Sequence, residues 1–209
     1  MPSERTFMPA AGRDVFLPLY DPFMSLFGFR KIQQVLVDQA GLQPNHRVLD
    51  VGCGTGTFAV LIKRLHPDID VVALDPDSKA LARGERKAKK AGTSIQFDRG
   101  FSDALPYDAG IFDRVFSSMM FHHLRKSEKE TTLREVRRVL KPGGRLEFVD
   151  FVISNRHGLL ARMLHPQQFL ADNADARLVE MMTRAGFTLA RQVNYRDTVF
   201  GRTGFYQAA

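Results

Sequence analysis

Three short groups of residues stand out as able to do chemistry. The first is the run Val48–Gly56, VLDVGCGTG, in which Asp50 precedes Gly52, Gly54 and Gly56. Glycines at alternate positions permit tight turning and close approach of the backbone to a ligand. The spacing is not GxGxxG and no Walker lysine follows, so a pyrophosphate-binding loop is a poor reading. A carboxylate two residues before the first glycine would repel a pyrophosphate and suits a cationic ligand. The second is Asp75, about 20 residues beyond the glycines, the spacing of an acid that accepts hydrogen bonds from ribose hydroxyls. The competing reading is that Asp75 or Asp77 only caps the helix that follows. The third is His122-His123 with Asp150. Imidazole accepts a proton near neutral pH, and a carboxylate can orient it; the competing reading is that one histidine only packs.

Other chemistries are poorly supported. Cys53 is the only cysteine, so an internal disulfide and a multi-cysteine zinc module are excluded. Within the glycine run, Cys53 reads better as a small turn-filling residue than as a nucleophile. No HxxxH or CxxC spacing suggests a metal site.

These groups need elements to position them. Apolar and polar residues alternate between strand and helix patterns from His46 onward. Strands are expected at Arg47–Val51, Asp70–Leu74, Ser94–Asp98, Phe112–Ser117 and Arg145–Ile153, with two more near Phe187–Tyr195 and Arg202–Gln207. Between them, Phe58, Leu61, Ile62 and Leu65 mark one helix stripe, Leu133, Val136 and Leu140 another, and Leu178, Met181, Met182 and Ala185 a third. Asp75-Pro76-Asp77 is expected to open a further helix, with proline in its first turn. Such alternation implies an α/β fold, a mostly parallel sheet with helices on both faces. Ligands of such sheets bind at the carboxyl ends of the strands, where all three groups fall.

The chain has 209 residues, 44% hydrophobic and 25% charged, with net charge +7. It is long enough for a sizeable core and reads as one domain, 1–209. Its densest basic run, Arg83, Arg86, Lys87, Lys89 and Lys90, reads as a solvated helix face. The longest uncharged stretch, Val51–Ile62, is too short to span a bilayer. With no apolar signal core at the start, a cytoplasmic protein is expected, with peripheral membrane contact left open. Residues 1–45 are rich in aromatics (Phe16, Tyr20, Phe23, Phe27, Phe29) and read either as a helical lid or as an extension packed on the core formed by 46–209.

Taken in order, DVGCGTG, Asp75, GFSDALPY, FDRVFSSMMFHHL and LKPGGRLEFVDF resemble class I S-adenosylmethionine-dependent methyltransferases. The likeness is strong over 46–153, and is nearest to the branch of ubiquinone/menaquinone-biosynthesis, phospholipid and small-molecule methyltransferases. It implies a Rossmann-like seven-stranded sheet in the order 3-2-1-4-5-7-6 with strand seven antiparallel, and S-adenosylmethionine as cofactor, released as S-adenosylhomocysteine, without a metal. The family pattern would set Gly52, Cys53, Gly54 and Gly56 against the methionyl part, with Asp50 near its amino end. Asp75 would hold the ribose, Pro76 lie beside the adenine, and Ser117 sit near the methionyl group. Tyr20, in a Tyr20-Asp21 fragment similar to one in that branch's lid, would close over the cofactor. Many relatives have an acid where this chain has Phe101; here Phe101 would pack on adenine, with the backbone near Ser102 making polar contacts.

A similar His-His plus Asp arrangement in some relatives implies a base at His122 or His123, oriented by Asp150. The acceptor is expected to be a small or lipid-like molecule. The aromatic start and the Met119-Met120-Phe121 run suit an apolar pocket, or else ordinary core. Ser154–Asn173 is expected to shape that pocket. Methylation of RNA or protein is the weaker alternative, since neither an NPPY-type motif nor an appended nucleic-acid module is present. A non-catalytic cofactor-binding protein is the third reading.

Overall fold

A computed structural model describes residues 28–152, 175–198 and 201–209. Tyr20, the rest of 1–27 and the whole of Ser154–Asn173 lie outside the described residues.

Five strands lie parallel: β1 (Arg47–Val51), β2 (Asp70–Asp75), β3 (Gln96–Arg99), β4 (Phe112–Ser118) and β5 (Leu140–Phe151). β6 (Ala190–Thr198) and β7 (Gly201–Ala208) form an antiparallel pair, and β7 adds antiparallel to β5. The order is β3-β2-β1-β4-β5-β7-β6, as expected.

Successive strand residues face opposite sides of the sheet, and each side is filled by its own set of helices. On one side, Val48, Val71, Ala73, Phe116 and Val149 pack with α1 (Phe29–Gln39), α2 (Thr57–Leu65) and α3 (Ser78–Lys90). On the other, Leu49, Val72, Val115 and Phe148 pack with α4 (Lys126–Val139) and α5 (Asp175–Arg184). This alternation places Asp50 with the first set of helices and Ser117 with the second.

The helix stripes hold with local changes. Phe58 and Ile62 are buried, but Leu65, at the end of α2, is 41% exposed. Pro76 is not in the first turn of α3; it precedes the cap, Asp77, whose carboxylate accepts from the Lys79 and Ala80 amides. Leu140 does not close α4; it pairs with Phe112 at the start of β5. Within the expected lid segment, α1 buries Phe29, Ile32, Leu36 and Val37 in the first cluster, so this part is core. Its end is tied to the sheet. Arg114 and Arg145 donate to the Ala40 carbonyl at 2.9 and 2.8 Å, and Gln39 donates to the buried Glu147 at 2.9 Å.

Candidate active site

The glycine run turns off the carboxyl end of β1 with Gly52, Gly54 and Gly56 all at positive φ (73, 52 and 69°). The Gly52 and Cys53 amides donate to the Leu74 carbonyl at 2.8 and 3.1 Å, which folds the loop over the end of β2. A Cβ on Gly52 would lie 2.1 Å from Met120 Cγ, and one on Gly56 would lie 2.9 Å from both Gly84 Cα and a Phe97 ring carbon. On the side a Cβ would occupy, the close approach at these two glycines is made by protein atoms: the segment after β4 at Gly52, and α3 with β3 at Gly56.

Asp75 holds this loop from the other side. Its Oδ2 accepts from the Gly54 amide at 2.8 Å and its Oδ1 from the Asp77 amide at 2.9 Å. Capping of α3 belongs to Asp77, so the two carboxylates that competed for that role are separated. Each carboxylate oxygen of Asp75 has a second lone pair, and the residue is half-buried at the rim. Burial raises its pKa, opposed by the two amide bonds.

Asp50 is set deeper, 1% exposed. Its Oδ2 has no hydrogen-bond partner among the described residues. Burial, with the Asp75 charge adding to it, pushes its pKa up to about 8. Beside it the Cys53 thiol is buried, and burial, then Asp50 and Asp75, hold its pKa well above the ordinary value. A protonated, buried thiol is a packing group. Lys87, expected on a solvated face with Arg86, Lys89 and Lys90, instead reaches Thr55 at 3.1 Å and Thr57 at the start of α2.

On the neighbouring strand, β4 ends at Ser118. Ser117 is buried, and its Oγ has no hydrogen-bond partner among the described residues. Met119 takes a left-handed conformation (φ 57°), uncommon for a residue with a side chain. It leads through Met120 into a single 3-10 turn, Phe121–His123. Asp150, fully buried on β5, holds that turn: Oδ2 accepts from the His122 amide at 3.0 Å and Oδ1 lies 2.6 Å from His122 Nδ1. The Phe151 amide also donates to Oδ1 at 2.7 Å. Burial pushes Asp150 upward, but the His122 charge and these hydrogen bonds outweigh it and hold the carboxyl below its usual range. With Nδ1 directed at Asp150, Nε2 is the ring nitrogen that can take a proton. The His123 ring lies against that of His122, centroids 4.0 Å apart. Phe151 packs edge-on to His122 at 5.3 Å.

The third expected cofactor segment is more structural. Phe101 is half-buried and bridges to Ala104. The Ser102 hydroxyl is 2.8 Å from that of Thr132 on α4, so only its backbone is left for the contacts expected there. The Pro76 carbonyl accepts from Arg99 at 3.2 Å. Sequence reasoning missed Met120 over Gly52, Thr132 and Lys87; only the adjacency of Met120 to the histidines hinted at any of them. Among the described residues no group of three or more His, Cys, Asp or Glu could hold a metal ion.

Asp50, the glycine run and Asp75 thus share the carboxyl edge of the sheet with Ser117, His122 and Asp150. A cation with N–H donors would satisfy the orphaned Oδ2 of Asp50, and ribose hydroxyls the open lone pairs of Asp75, so these residues fit S-adenosylmethionine.

The comparisons agree. Residues 48–144 match the methyltransferase domain family. The demethylmenaquinone methyltransferase of Thermus thermophilus is 30% identical over 88% of this chain and 93% of its own length. That of Deinococcus radiodurans is 31% identical over 77% and 73%. In fold, the chain superposes on an S-adenosylmethionine-dependent methyltransferase from Aquifex aeolicus with TM-score 0.67 at 21% identity, covering 84% of this chain and 88% of that one. It superposes on the [4+2]-cyclase SpnF with TM-score 0.70 at 20% identity, covering 85% and 79%. The cyclase shows that this fold alone does not decide the reaction. The full-length sequence relationship does decide the family: the chain belongs to the S-adenosylmethionine-dependent methyltransferases, in the group that includes the demethylmenaquinone methyltransferases.

Proposed function

We propose that the chain methylates a quinol-type aromatic ring, with His122 as base and Asp150 as the residue that positions it. The observation that carries this reading is the 2.6 Å contact between His122 Nδ1 and the buried Asp150. Relatives named for demethylmenaquinone support the acceptor class. We assign cofactor holding to Asp50, Gly52, Cys53, Gly54, Gly56, Asp75 and Pro76, with Phe101, the Ser102 backbone, Ser117 and Tyr20 completing the set. When bound, S-adenosylmethionine supplies a methyl already activated by its sulfonium charge and leaves as S-adenosylhomocysteine. A ring hydroxyl gives its proton to His122 Nε2, which leaves the oxygen's electron pair shared with the adjacent ring carbon, the atom that would take the methyl as the methyl–sulfur bond breaks. That carbon's own hydrogen then leaves as a proton to solvent, restoring the aromatic ring, and His122 returns its proton to the ring oxygen. Asp150 stabilises the imidazolium formed in the first step.

In this reading the chain acts as one cytoplasmic methyltransferase domain that meets a lipid-like acceptor by peripheral membrane contact. No described helix is long and apolar enough to cross a membrane.

The test is transfer from methyl-labelled S-adenosylmethionine to a reduced demethylated naphthoquinone, with RNA and protein acceptors in parallel. Label is expected in the organic-soluble quinol fraction. Label in acid-precipitable RNA or protein instead overturns the acceptor class. His122→Ala should lower kcat by ~10²-fold or more, and His123→Ala by much less. Full activity in His122→Ala removes the base.

A further inference from the structure

Asp50 is used above only as a place for the cofactor's amino end, yet its setting asks more of it. A fully buried carboxylate normally has its charge met by a cation or by several donors. Among the described residues Asp50 Oδ2 is without a partner, and the charged group whose field reaches it is another carboxylate, Asp75. The described elements around it place no cation against it. Its sheet neighbours are Ala73 on β2 and Phe116 on β4, both apolar. α1 and α2 present Phe29, Ile32, Phe58 and Ile62 to the same cluster, while Arg30 and Lys31 are exposed and Lys63 is bound to the carbonyls of Pro67 and Ile69. From α3, Lys87 is engaged with Thr55 and Thr57. In the loop itself the titratable group is the Cys53 thiol, which bears no charge when protonated.

Of the two carboxylates, Asp75 has the two amide donors, so the charge settles on Asp75 and the proton on Asp50. We infer that Asp50 is protonated in the empty protein and surrenders its proton when S-adenosylmethionine binds, making cofactor binding an exchange of a cation for a proton. The Asp50 O–H bond breaks, the proton passes to solvent, and the carboxylate oxygen accepts an N–H from the incoming ammonium. The exchange makes Asp50 a specificity residue, since only a ligand bringing positive charge repays the deprotonation. The inference rests on the cofactor assignment proposed above.

Calorimetry of S-adenosylmethionine binding to the intact protein tests it, at pH 6.5 in buffers of different ionisation enthalpy. At this pH the ligand's own α-amino group, with a pKa near ~7.8, is already protonated. Nearly one proton released per site is expected, and Kd should tighten about tenfold per pH unit between pH 5.5 and 7. Asp50→Asn should bind without proton release and with a flat pH profile. A buffer-independent enthalpy together with a pH-independent Kd in the unsubstituted protein overturns the inference while leaving the cofactor assignment intact. Absence of any binding overturns the assignment itself. Because both readouts come from the unsubstituted protein, the test stands even if Asp50→Asn fails to fold.

Discussion

At the scale of single residues, the glycine run shows how one position can serve two masters. Gly52 sits at φ 73°, a conformation L side chains resist, and Met120 Cγ occupies the space a Cβ would need. Two separate costs therefore attach to Gly52→Ala: left-handed strain of ~1 kcal/mol, and overpacking against Met120 of ~1–3 kcal/mol. Shortening Met120 to alanine removes the Cγ part of the second and leaves Met120 Cβ at 2.8 Å. Gly52→Ala should lower stability measured by urea unfolding, and Gly52→Ala with Met120→Ala should recover part of the overpacking share relative to Met120→Ala alone. Additive losses in the double variant would mean that the backbone and the Met120 Cβ, not the rest of that side chain, set the requirement for glycine. The histidine pair shows the same division of labour. His122 and His123 are alike in sequence, yet the turn that follows Met119 directs the amide and ring of the first at Asp150 and lays the second alongside it.

At the scale of elements, α3 depends on Asp77, two residues beyond the carboxylate proposed to hold the ribose. Asp77 Oδ1 accepts two amides at the head of the helix, and Asp75 accepts the amide of Asp77 itself. Asp77→Ala should cost ~1 kcal/mol as a lost N-cap and lower Tm by about 2–4 °C, measured by calorimetry. It should leave the Asp75–Gly54 bond in place, so cofactor affinity should change little; a large loss of affinity with unchanged Tm would mean that Asp77 serves the site directly. The elements were the most legible part of the chain. β1 falls at RVLDV, read as a short strand, and the sheet order is the one that the family resemblance implies. What escaped were features with no periodicity to betray them. Leu140 fits a helical stripe and a strand equally well, and its pairing with Phe112 decides. Pro76 suits a first turn, but Asp77 captures the cap one residue later. The reach of Lys87 to Thr55 joins residues 32 apart, and the choice of His122 over His123 rests on a left-handed residue that nothing in FSSMMFHHL announces.

At the scale of the whole molecule, buried carboxylates give the empty protein two opposing pH responses. Asp150 is held below the usual carboxylate range, mainly by His122 acting against burial. Its contribution is present above pH ~4 and is lost as acid protonates it in the folded state. Asp50 works in the other direction. The unfolded chain releases that proton near pH ~4, whereas the folded one keeps it to about 8. Below pH 4 both states hold the proton and Asp50 has no effect on the pH slope. Between 4 and 8 the unfolded state alone has lost it, so rising pH favours unfolding, and above 8 the loss is complete. The slope due to this one group is at most ~1.4 kcal/mol per pH unit, and Asp75, raised in the same sense, adds to it. Asn at position 50 cannot ionise, so the difference in unfolding free energy between the unsubstituted protein and Asp50→Asn should fall steadily from pH 5 to 8. Urea unfolding at unit pH steps measures it. Parallel curves across that range would mean that Asp50 is already ionised in the empty fold, and that the cation for its orphaned oxygen comes from within the protein.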